Sequence, residues 1–184
     1  MKTKYILHGG YATKKNKEND KFFKEILSID KKELNILIVL FAKKKEKYNR
    51  KGEAIINQFS FNNVDKALTF DIADKKLLEE QIKKADIIYL HGGETLKLLE
   101  VLKGFANFSK LIKGKVMTGE SAGAYVLSAC FYSKSLEGCF EGLKLIPVKT
   151  ICHYEEKNRE KLKNCSADLK ELLLEKHKYK VFII

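Results

Sequence analysis

The stretch Val116-Met117-Thr118-Gly119-Glu120-Ser121-Ala122-Gly123-Ala124 is the most informative part of the sequence, because it reads as a short strand that ends in Gly-x-Ser-x-Gly. This pattern is typical of a nucleophile elbow, a sharp strand-to-helix turn that holds one side chain out toward solvent. Glycines two positions on either side of Ser121 remove the Cβ atoms that would clash in such a turn. Backbone N–H groups at the start of the following helix are well placed to stabilise an oxyanion. The sequence therefore predicts Ser121 as a nucleophile, against the alternative of a turn that merely contains a serine.

On both sides of this turn, apolar runs of strand length alternate with amphipathic stretches of helix length. Such alternation is typical of a mostly parallel sheet with helices on both faces. The predicted strands cover residues 4–8, 34–41, 66–70, 85–91, 114–118, 148–153 and 179–183. The predicted helices cover residues 19–29, 46–59, 74–84, 95–103, 122–129 and 157–175. No linker or repeat divides the 184 residues, so we expect one α/β domain over 1–184, a three-layer α/β/α sandwich with a doubly wound sheet.

Composition favours a globular protein without a membrane-spanning segment. Hydrophobic residues make up 45% of the chain, no window of eighteen apolar residues occurs, and the N-terminal apolar run is too short for a signal peptide. We therefore expect a cytoplasmic protein with no membrane partner. The four cysteines, Cys130, Cys139, Cys152 and Cys165, lack zinc-ligand spacing and are expected to be free, mostly buried thiols.

The net charge of +12, from 36 Lys+Arg and 24 Asp+Glu, raises the question of a nucleic-acid partner. The lysines are spread along the chain and mixed with Glu and Asp at helical spacing, and arginine occurs only at positions 50 and 159. Solvated helix faces explain this pattern better than a binding groove. No nucleic-acid partner is therefore expected.

Two further glycine pairs follow predicted strands. Gly9-Gly10 follows the first strand and Gly92-Gly93 follows the fourth, while the elbow follows the fifth. The carboxyl ends of parallel strands meet at the edge where open α/β sheets bind ligands. Gly-Gly turns there let the main chain approach a substrate and present its N–H groups, although each pair alone is better explained as a tight turn before a helix.

A serine hydroxyl needs a positioned base, usually histidine. His153 is the preferred candidate because it ends the apolar strand 148–152 and should lie at the carboxyl edge beside the elbow strand. His8 and His91 precede the Gly-Gly turns, where each either lines the site or packs, and His177 lies in a lysine-rich segment.

The third member of a catalytic triad should be a carboxylate that orients the histidine. Glu137 is preferred and Glu141 is second, because both lie in a loop-like stretch between the nucleophile and His153. Glu155 and Glu156 are instead explained as acidic residues of a first helical turn. The order Ser, acid, His also fits an α/β-hydrolase, but 184 residues is short for that fold, and a different serine-hydrolase architecture is indicated.

Three blocks of the sequence together resemble the S51 serine peptidases, the family of aspartyl dipeptidase (dipeptidase E) and cyanophycinase. In chain order they are residues 87–96 with His91-Gly92-Gly93-Glu94-Thr95, the elbow at 119–124, and residues 140–147 leading to His153. The resemblance implies a class I glutamine amidotransferase-like fold. His91 and Glu94 stand where the family segment has a glycine and an asparagine, so substrate contacts around this turn do not simply carry over.

The resemblance also implies roles for individual residues. Ser121 is expected to be the nucleophile and His153 the general base, with an oxyanion hole formed by backbone N–H groups of Gly92 or Gly93 and of Ala122. The implied activity is hydrolysis of small acidic peptides of the Asp-Xaa type through an acyl-enzyme on Ser121, without a metal or cofactor. The residues considered as substrate contacts are Gly9, Gly10, Glu94, Thr95 and Glu120.

Two other functions remain open. The main alternative is a catalytically inactive binding module of the same fold, whose basic surface holds an acidic partner. A glutamine amidotransferase relative fits less well, because that chemistry uses a cysteine nucleophile where this chain has Ser121. The expected partner is a small peptide, and a homodimer is compatible with the sequence.

Overall fold

A computed structural model describes residues 1–166 and 168–184, which form two β-sheets and the helices around them. The described strands are, in chain order, β1 (Lys4–His8), β2 (Glu33–Val39), β3 (Ala67–Ile72), β4 (Ile87–Leu90), β5 (Val116–Glu120), β6 (Ser128–Ser133), β7 (Gly138–Glu141), β8 (Ile146–Cys152), β9 (Lys170–Leu174) and β10 (Tyr179–Ile183). The described α-helices are α1 (Lys17–Leu27), α2 (Tyr48–Asn62), α3 (Leu78–Lys84), α4 (Thr95–Lys103), α5 (Phe108–Leu111) and α6 (Ala122–Leu127). Two 3-10 helices cover Lys45–Lys47 and Glu156–Asn164.

The main sheet has six strands in the order β10-β1-β5-β4-β2-β3, and all neighbours are parallel except β10 against β1. The register aligns the carboxyl ends of three strands, because His8 pairs with Glu120 and Leu90 pairs with Gly119. The two Gly-Gly turns and the elbow therefore lie together at one edge of the sheet, as the sequence predicts.

Helices cover both faces of this sheet because its strands are apolar on both sides. Alternate residues of a strand point to opposite faces. Ile36 and Ile38 pack in one cluster with Phe22 of α1 and Phe59 of α2. The other face carries a second cluster, in which Leu37 and its neighbours pack with residues of α3, α4 and α6. Burying each large side chain contributes about 1.5–3 kcal/mol. The predicted three-layer sandwich is confirmed.

The second sheet, β7-β6-β8-β9, is a feature that the sequence analysis missed. The helix predicted over 122–129 ends at Leu127, and β6 begins at the next residue. The strand predicted over 148–153 exists as β8, but it pairs with β6 and β9 and not with the main sheet. The expectation that this strand lies beside the elbow strand was therefore wrong.

The prediction of a helix over residues 157–175 was also wrong. A 3-10 helix occupies Glu156–Asn164, and β9 follows it in parallel register with β8. In β9, Leu172 and Leu174 are buried at alternate positions, which is the period of a half-buried strand. The surrounding lysines produce a helix-like charge pattern, but pairing with β8 decides the conformation, because strand preference depends on tertiary context.

The two sheets share one hydrophobic cluster. Phe131 of β6, Val148 of β8 and Leu172 of β9 belong to the same cluster as Leu7 and Leu90 of the main sheet. Helix α6 connects the sheets directly, since it starts at the end of β5 and leads into β6. This packing brings the end of β8 to the carboxyl edge of the main sheet.

One pair of cysteines departs from the expectation of free thiols. Cys139 of β7 and Cys165, at the end of the second 3-10 helix, form a disulfide with a Cα–Cα separation of 5.6 Å. Cys130 and Cys152 are free and buried, as expected. The disulfide could not be predicted because the missed second sheet is what brings the pair together.

Among the described residues, no helix is both long enough and apolar enough to cross a membrane.

Candidate active site

The elbow places Ser121 at a strained junction between β5 and α6. Its backbone has φ 51° and ψ −102°, a conformation that side-chain-bearing residues rarely adopt. A Cβ added at Gly119 would lie only 2.6 Å from the Gly123 carbonyl oxygen, and one added at Gly123 would lie 2.8 Å from Leu90 Cβ. Both positions therefore require glycine, because any side chain would push strand and helix apart. The strain holds the half-buried Ser121 side chain at the mouth of a cavity.

The Ser121 hydroxyl lies next to the predicted base. Ser121 Oγ is 3.0 Å from His153 Nε2, which is hydrogen-bond distance for a hydroxyl donating to a neutral imidazole. His153 also has a positive φ of 51°, because the chain turns sharply after β8 to direct the ring at the elbow. A nucleophile and a base in contact are the pair that acyl transfer requires.

Several contacts fix His153. The backbone N–H of His153 donates to the Gly9 carbonyl at 3.1 Å, and the Lys134 ammonium donates to the backbone carbonyl of His153 at 2.8 Å. The ring packs on Gly10, where an added Cβ would lie 2.8 Å from Nε2 and 2.9 Å from Nδ1. The Tyr11 ring meets it edge-on at a centroid distance of 5.3 Å. Backbone bonds and packing thus orient the imidazole.

Electrostatics keep the His153 imidazole neutral. Burial lowers its pKa, the charge of Glu120 opposes this shift, and the charges of Lys134 and Lys176 add to it, so that the pKa lies below the ordinary 6.5. A neutral imidazole at neutral pH has the free lone pair that a general base needs.

Neither predicted acid reaches His153. Glu137 is exposed at the turn between β6 and β7, and Glu141 pairs with Lys144 at 2.9 Å on the surface. Within residues 1–166 and 168–184, no carboxylate is hydrogen-bonded to the His153 ring. The assignment of Glu137, or of Glu141, as the orienting acid is therefore not supported. The reason is that the loop predicted between nucleophile and base is a β-hairpin that carries both glutamates outward.

The residues predicted for the oxyanion hole surround Ser121. A Cβ added at Gly92 would lie 3.2 Å from Ser121 Cβ, so this turn passes directly beside Ser121. Gly93 has φ 152°, and a side chain there would collide with the backbone of Ala42. Ala122 follows Ser121 as the first residue of α6. Gly92 and Gly93 also line the cavity.

The buried carboxylate of the site is Glu120, which the sequence offered only as a substrate contact. Its oxygens accept hydrogen bonds from the Ala12 N–H at 3.0 Å, the Tyr89 hydroxyl at 3.0 Å and His91 Nδ1 at 2.8 Å. Burial by itself raises the pKa of this carboxyl, but the bond and charge of His91 and the Ala12 N–H together lower it to about 2. Glu120 is therefore a carboxylate at neutral pH. The role of Tyr89 as its partner was missed, because a buried strand tyrosine gives no distinguishing signal.

The other expected substrate contacts differ in position. Thr95 lines the cavity, whereas Glu94 is exposed and pairs with Lys97 at 2.9 Å. Gly9 packs against the chain after β9. Gly10 does not contact the cavity itself but packs against the His153 ring. The Gly10 N–H donates to His8 Nδ1 at 3.0 Å.

The elbow opens into a cavity of about 500 Å³ with a basic lining. Four lysines line it, Lys14, Lys43, Lys51 and Lys134, against the single carboxylate of Glu120. The described part of the chain contains no group of three or more His, Cys, Asp or Glu side chains arranged to hold a metal ion. The cavity is suited to a small ligand that carries negative charge.

The model of peptidase family S51 matches residues 5–179, and the chain belongs to this family. Membership of this family supports a peptidase activity. No curated protein matches the chain.

Two solved structures show the same fold. A candidate peptidase E from Listeria monocytogenes EGD-e is 19% identical with a TM-score of 0.69, and the match covers 100% of this chain and 98% of that chain. A peptidase from an acI-B1 Actinobacterium is 17% identical with a TM-score of 0.71, and the match covers 98% of this chain and 83% of that chain. The expected amidotransferase-like α/β fold is consistent with these neighbours.

Proposed function

We propose that the protein is a metal-independent serine peptidase that hydrolyses small acidic peptides of the Asp-Xaa type through an acyl-enzyme on Ser121. The observation that carries the proposal is the 3.0 Å contact between Ser121 Oγ and His153 Nε2 at a strained elbow that opens into a basic cavity. Membership of the S51 family supports the peptidase activity.

The first chemical step forms the acyl-enzyme. Ser121 Oγ attacks the carbonyl carbon of the scissile bond while His153 Nε2 takes the hydroxyl proton. The developing oxyanion is stabilised by backbone N–H groups of Gly92 or Gly93 and of Ala122. His153 then gives the proton to the leaving amine, and the C–N bond breaks.

The second step releases the product. A water molecule gives a proton to His153 Nε2 and attacks the ester carbonyl, and the collapse of the intermediate returns the proton to Ser121 Oγ. His153 works in this scheme as the base of a dyad oriented by the Gly9 carbonyl, Gly10 and Tyr11. Glu120 acts on it through charge alone.

The test is hydrolysis of Asp-Leu and Leu-Leu dipeptides by the purified chain and by its Ser121→Ala variant. We expect cleavage of Asp-Leu, weak or no cleavage of Leu-Leu, and loss of both in the variant. Cleavage that persists in Ser121→Ala would show that the activity does not come from this site.

The second candidate is a catalytically inactive binding module for an acidic partner. It is favoured by one observation, that no carboxylate is bonded to the His153 ring among the described residues. A module of this kind would bind Asp-Leu without cleaving it, so direct detection of free leucine separates the two functions.

A further inference from the structure

Ser121 and His153 reach each other from different sheets. Ser121 follows β5 of the main sheet, whereas His153 follows β8 of the second sheet. The 3.0 Å contact between Ser121 Oγ and His153 Nε2 therefore depends on how the end of β8 is held against the elbow. The bond from the His153 N–H to the Gly9 carbonyl is one contact that holds it.

The end of β8 extends beyond its pairing with β6. The register of these two strands runs as far as Phe131 opposite Thr150. Two positions further on, the Cys152 N–H donates to the Tyr125 hydroxyl at 3.0 Å, and this hydroxyl donates to the Cys152 carbonyl at 3.4 Å. A single side chain thus binds both backbone groups of the residue that precedes His153.

Tyr125 lies on the elbow helix α6, four residues after Ser121. Its backbone N–H donates to the Ser121 carbonyl at 3.0 Å, and the Cys152 thiol donates to the same carbonyl at 3.6 Å. Burial raises the pKa of the Tyr125 phenol, so the hydroxyl keeps the proton that it donates to Cys152. Tyr125 is therefore bonded to Ser121 through its backbone and to β8 through its side chain.

The Tyr125 ring is fixed by packing. It is 6% exposed and stacks on Phe131 of β6, with a centroid distance of 4.8 Å and an interplanar angle of 14°. Close packing of this kind leaves a buried ring in one rotamer, which sets the position of the hydroxyl. His153 has a φ of 51°, and a residue in such a conformation keeps it only when its surroundings hold it there.

We propose that Tyr125 is a positioning residue that holds the end of β8 against the elbow, so that the His153 imidazole stays within hydrogen-bond reach of Ser121. The Tyr125 hydroxyl is bonded to the Cys152 backbone and takes no part in the chemical steps, so it acts through His153. The inference rests on the proposed function for its effect on hydrolysis, and its test includes a measurement that needs no hydrolysis.

The first variant is Tyr125→Phe, which keeps the stacked ring and removes the hydroxyl. The Cys152 N–H and carbonyl lose this partner, and the end of β8 should move relative to the elbow. We expect kcat for Asp-Leu to fall by about 10- to 100-fold, because a displacement of about 1 Å in a catalytic group has an effect of this size. KM should stay within about 2-fold, because the hydroxyl supports the transition state and does not bind the substrate.

The measurement that needs no hydrolysis is an NMR titration of the His153 imidazole in the full chain with isotope-labelled histidine. The His153→Gln variant identifies the signal. Burial is the main cause that lowers the pKa of His153. A ring that is held less firmly is more exposed to water, so the pKa of His153 in Tyr125→Phe should rise toward 6.5.

The matched control is Thr150→Val. Thr150 is fully buried in β8, and its hydroxyl lies 2.7 Å from Ser128 Oγ of β6. This variant also removes a buried hydroxyl that binds β8 to a neighbouring element, so the urea midpoint should fall as it does in Tyr125→Phe. The kcat and the His153 titration should remain those of the wild-type chain, because the bonds at Cys152 are kept.

A second pair of variants breaks the same bond from the side of β8. Cys152→Pro removes the N–H that donates to the phenol, whereas Cys152→Ala removes the thiol and keeps this N–H. We expect kcat to be lower in Cys152→Pro than in Cys152→Ala by a factor similar to that for Tyr125→Phe. Thermal melts show which variants fold, and if only one of Tyr125→Phe and Cys152→Pro folds, that variant decides.

Three results would overturn the inference. These are an unchanged kcat or an unchanged His153 titration in the folded Tyr125→Phe variant, an equal loss of kcat in Thr150→Val, and a rise in KM with an unchanged kcat. If the wild-type chain does not cleave Asp-Leu, the peptidase proposal fails, and the His153 titration alone then decides whether Tyr125 positions this ring.

Discussion

At the scale of single residues, the site depends on two positive-φ positions that face each other. Ser121 and His153 both have φ 51°, and each costs of order 1–3 kcal/mol of backbone strain. Neighbouring glycines and backbone hydrogen bonds hold both residues in these conformations, so that Ser121 Oγ lies 3.0 Å from His153 Nε2. Among the described residues, no carboxylate is hydrogen-bonded to the His153 ring. The dyad is therefore built by the backbone more than by a chain of side-chain hydrogen bonds.

Removing either member of the dyad should abolish most of the activity. We expect Ser121→Ala and His153→Gln each to lower kcat/KM for Asp-Leu by roughly three to six orders of magnitude, as in other serine hydrolases. The double variant should be no worse than the single variants, because the two residues act as a unit. Steady-state kinetics check this, and additive losses would show that the two side chains act separately.

The activity should persist well into the acid range. Burial lowers the pKa of His153, and the base works only when neutral, so kcat/KM should fall on the acid side with a midpoint below pH 6.5. A pH profile of kcat/KM measures this directly. A midpoint above pH 6.5 would mean that an unseen anion stabilises the imidazolium.

Gly10 should be sensitive to substitution because it packs against the His153 ring. It has φ 117°, and a Cβ there would meet the His153 ring. We expect Gly10→Ala to reduce kcat by about 100-fold, because a shift of about 1 Å in a catalytic group has such an effect. Gly138→Ala is the control, since its Cβ would make an ordinary 3.4 Å contact with Phe140. Equal kinetics for the two variants would contradict the positioning role of Gly10.

At the scale of elements, the sequence predicts the main sheet well and the second sheet poorly. The strands β1, β2, β4 and β5 are buried on both faces, and the mostly apolar runs of β1, β2 and β4 depend little on their partners. The strands β7 and β9 are only partly buried, and β6, although mostly buried, belongs to a sheet that forms only when the β6–β7 hairpin packs beside β8 and β9. Strand preference in such segments follows from tertiary contacts, which one sequence does not show.

The same difference applies to the site. Ser121 and the glycine turns lie at the ends of main-sheet strands, so their convergence could be predicted. His153 does reach Ser121, but from β8 of the second sheet and not from the predicted neighbour of the elbow strand. The positions of Glu137 and Glu141 depend on the hairpin of β6 and β7, and their prediction failed with it. The bonding of Glu120 to Tyr89 and His91 requires knowledge of which strands are neighbours.

The disulfide should stabilise the second sheet. It closes a loop with a sequence separation of 26, for which chain entropy predicts about 3.5 kcal/mol. Reduction should lower the free energy of unfolding of the wild-type chain by about this amount, measured by denaturant titration with and without reductant. The double variant Cys139→Ser/Cys165→Ser is the control, and the reductant should not change its stability. Equal stability in both redox states would mean that the pair adds nothing to the fold.

At the scale of the whole molecule, buried ionisable groups make stability depend on pH. His8 is fully buried between the Gly10 N–H and the Asn19 side chain, and burial lowers its pKa to about 4. The unfolded chain therefore takes up a proton at this histidine near pH 6.5, before the folded chain does. Its contribution is fully present above pH 6.5 and is lost as the pH falls toward 4.

We expect this histidine to lower the free energy of unfolding by about 3 kcal/mol between pH 6.5 and 4. The hydrogen bond and charge of His91 help to lower the pKa of Glu120 to about 2. The stability that the folded chain gains from this carboxylate is therefore fully present above pH 4.5 and is lost as the pH falls toward 2. Urea titrations at several pH values measure the slope. A free energy that stays constant from pH 7 to 4 would contradict the neutral state of buried His8.

The charged residues that give the net charge of +12 are distributed unevenly over the molecule. Many surface lysines pair with Glu or Asp, as the helical spacing of charges suggested, whereas the cavity at the elbow keeps an excess of lysines. This excess beside a nucleophile is what connects the basic composition to an acidic peptide substrate in the proposed function.

In the proposed mechanism, His153 activates Ser121 for attack on a carbonyl. The most direct measurement is the rate of covalent labelling by a fluorophosphonate, with the modified residue located by peptide mass spectrometry. We predict a single adduct on Ser121, no adduct in Ser121→Ala, and labelling slowed by several orders of magnitude in His153→Gln. An unlabelled Ser121 in the wild-type chain, or labelling at the same rate without His153, would contradict the claim.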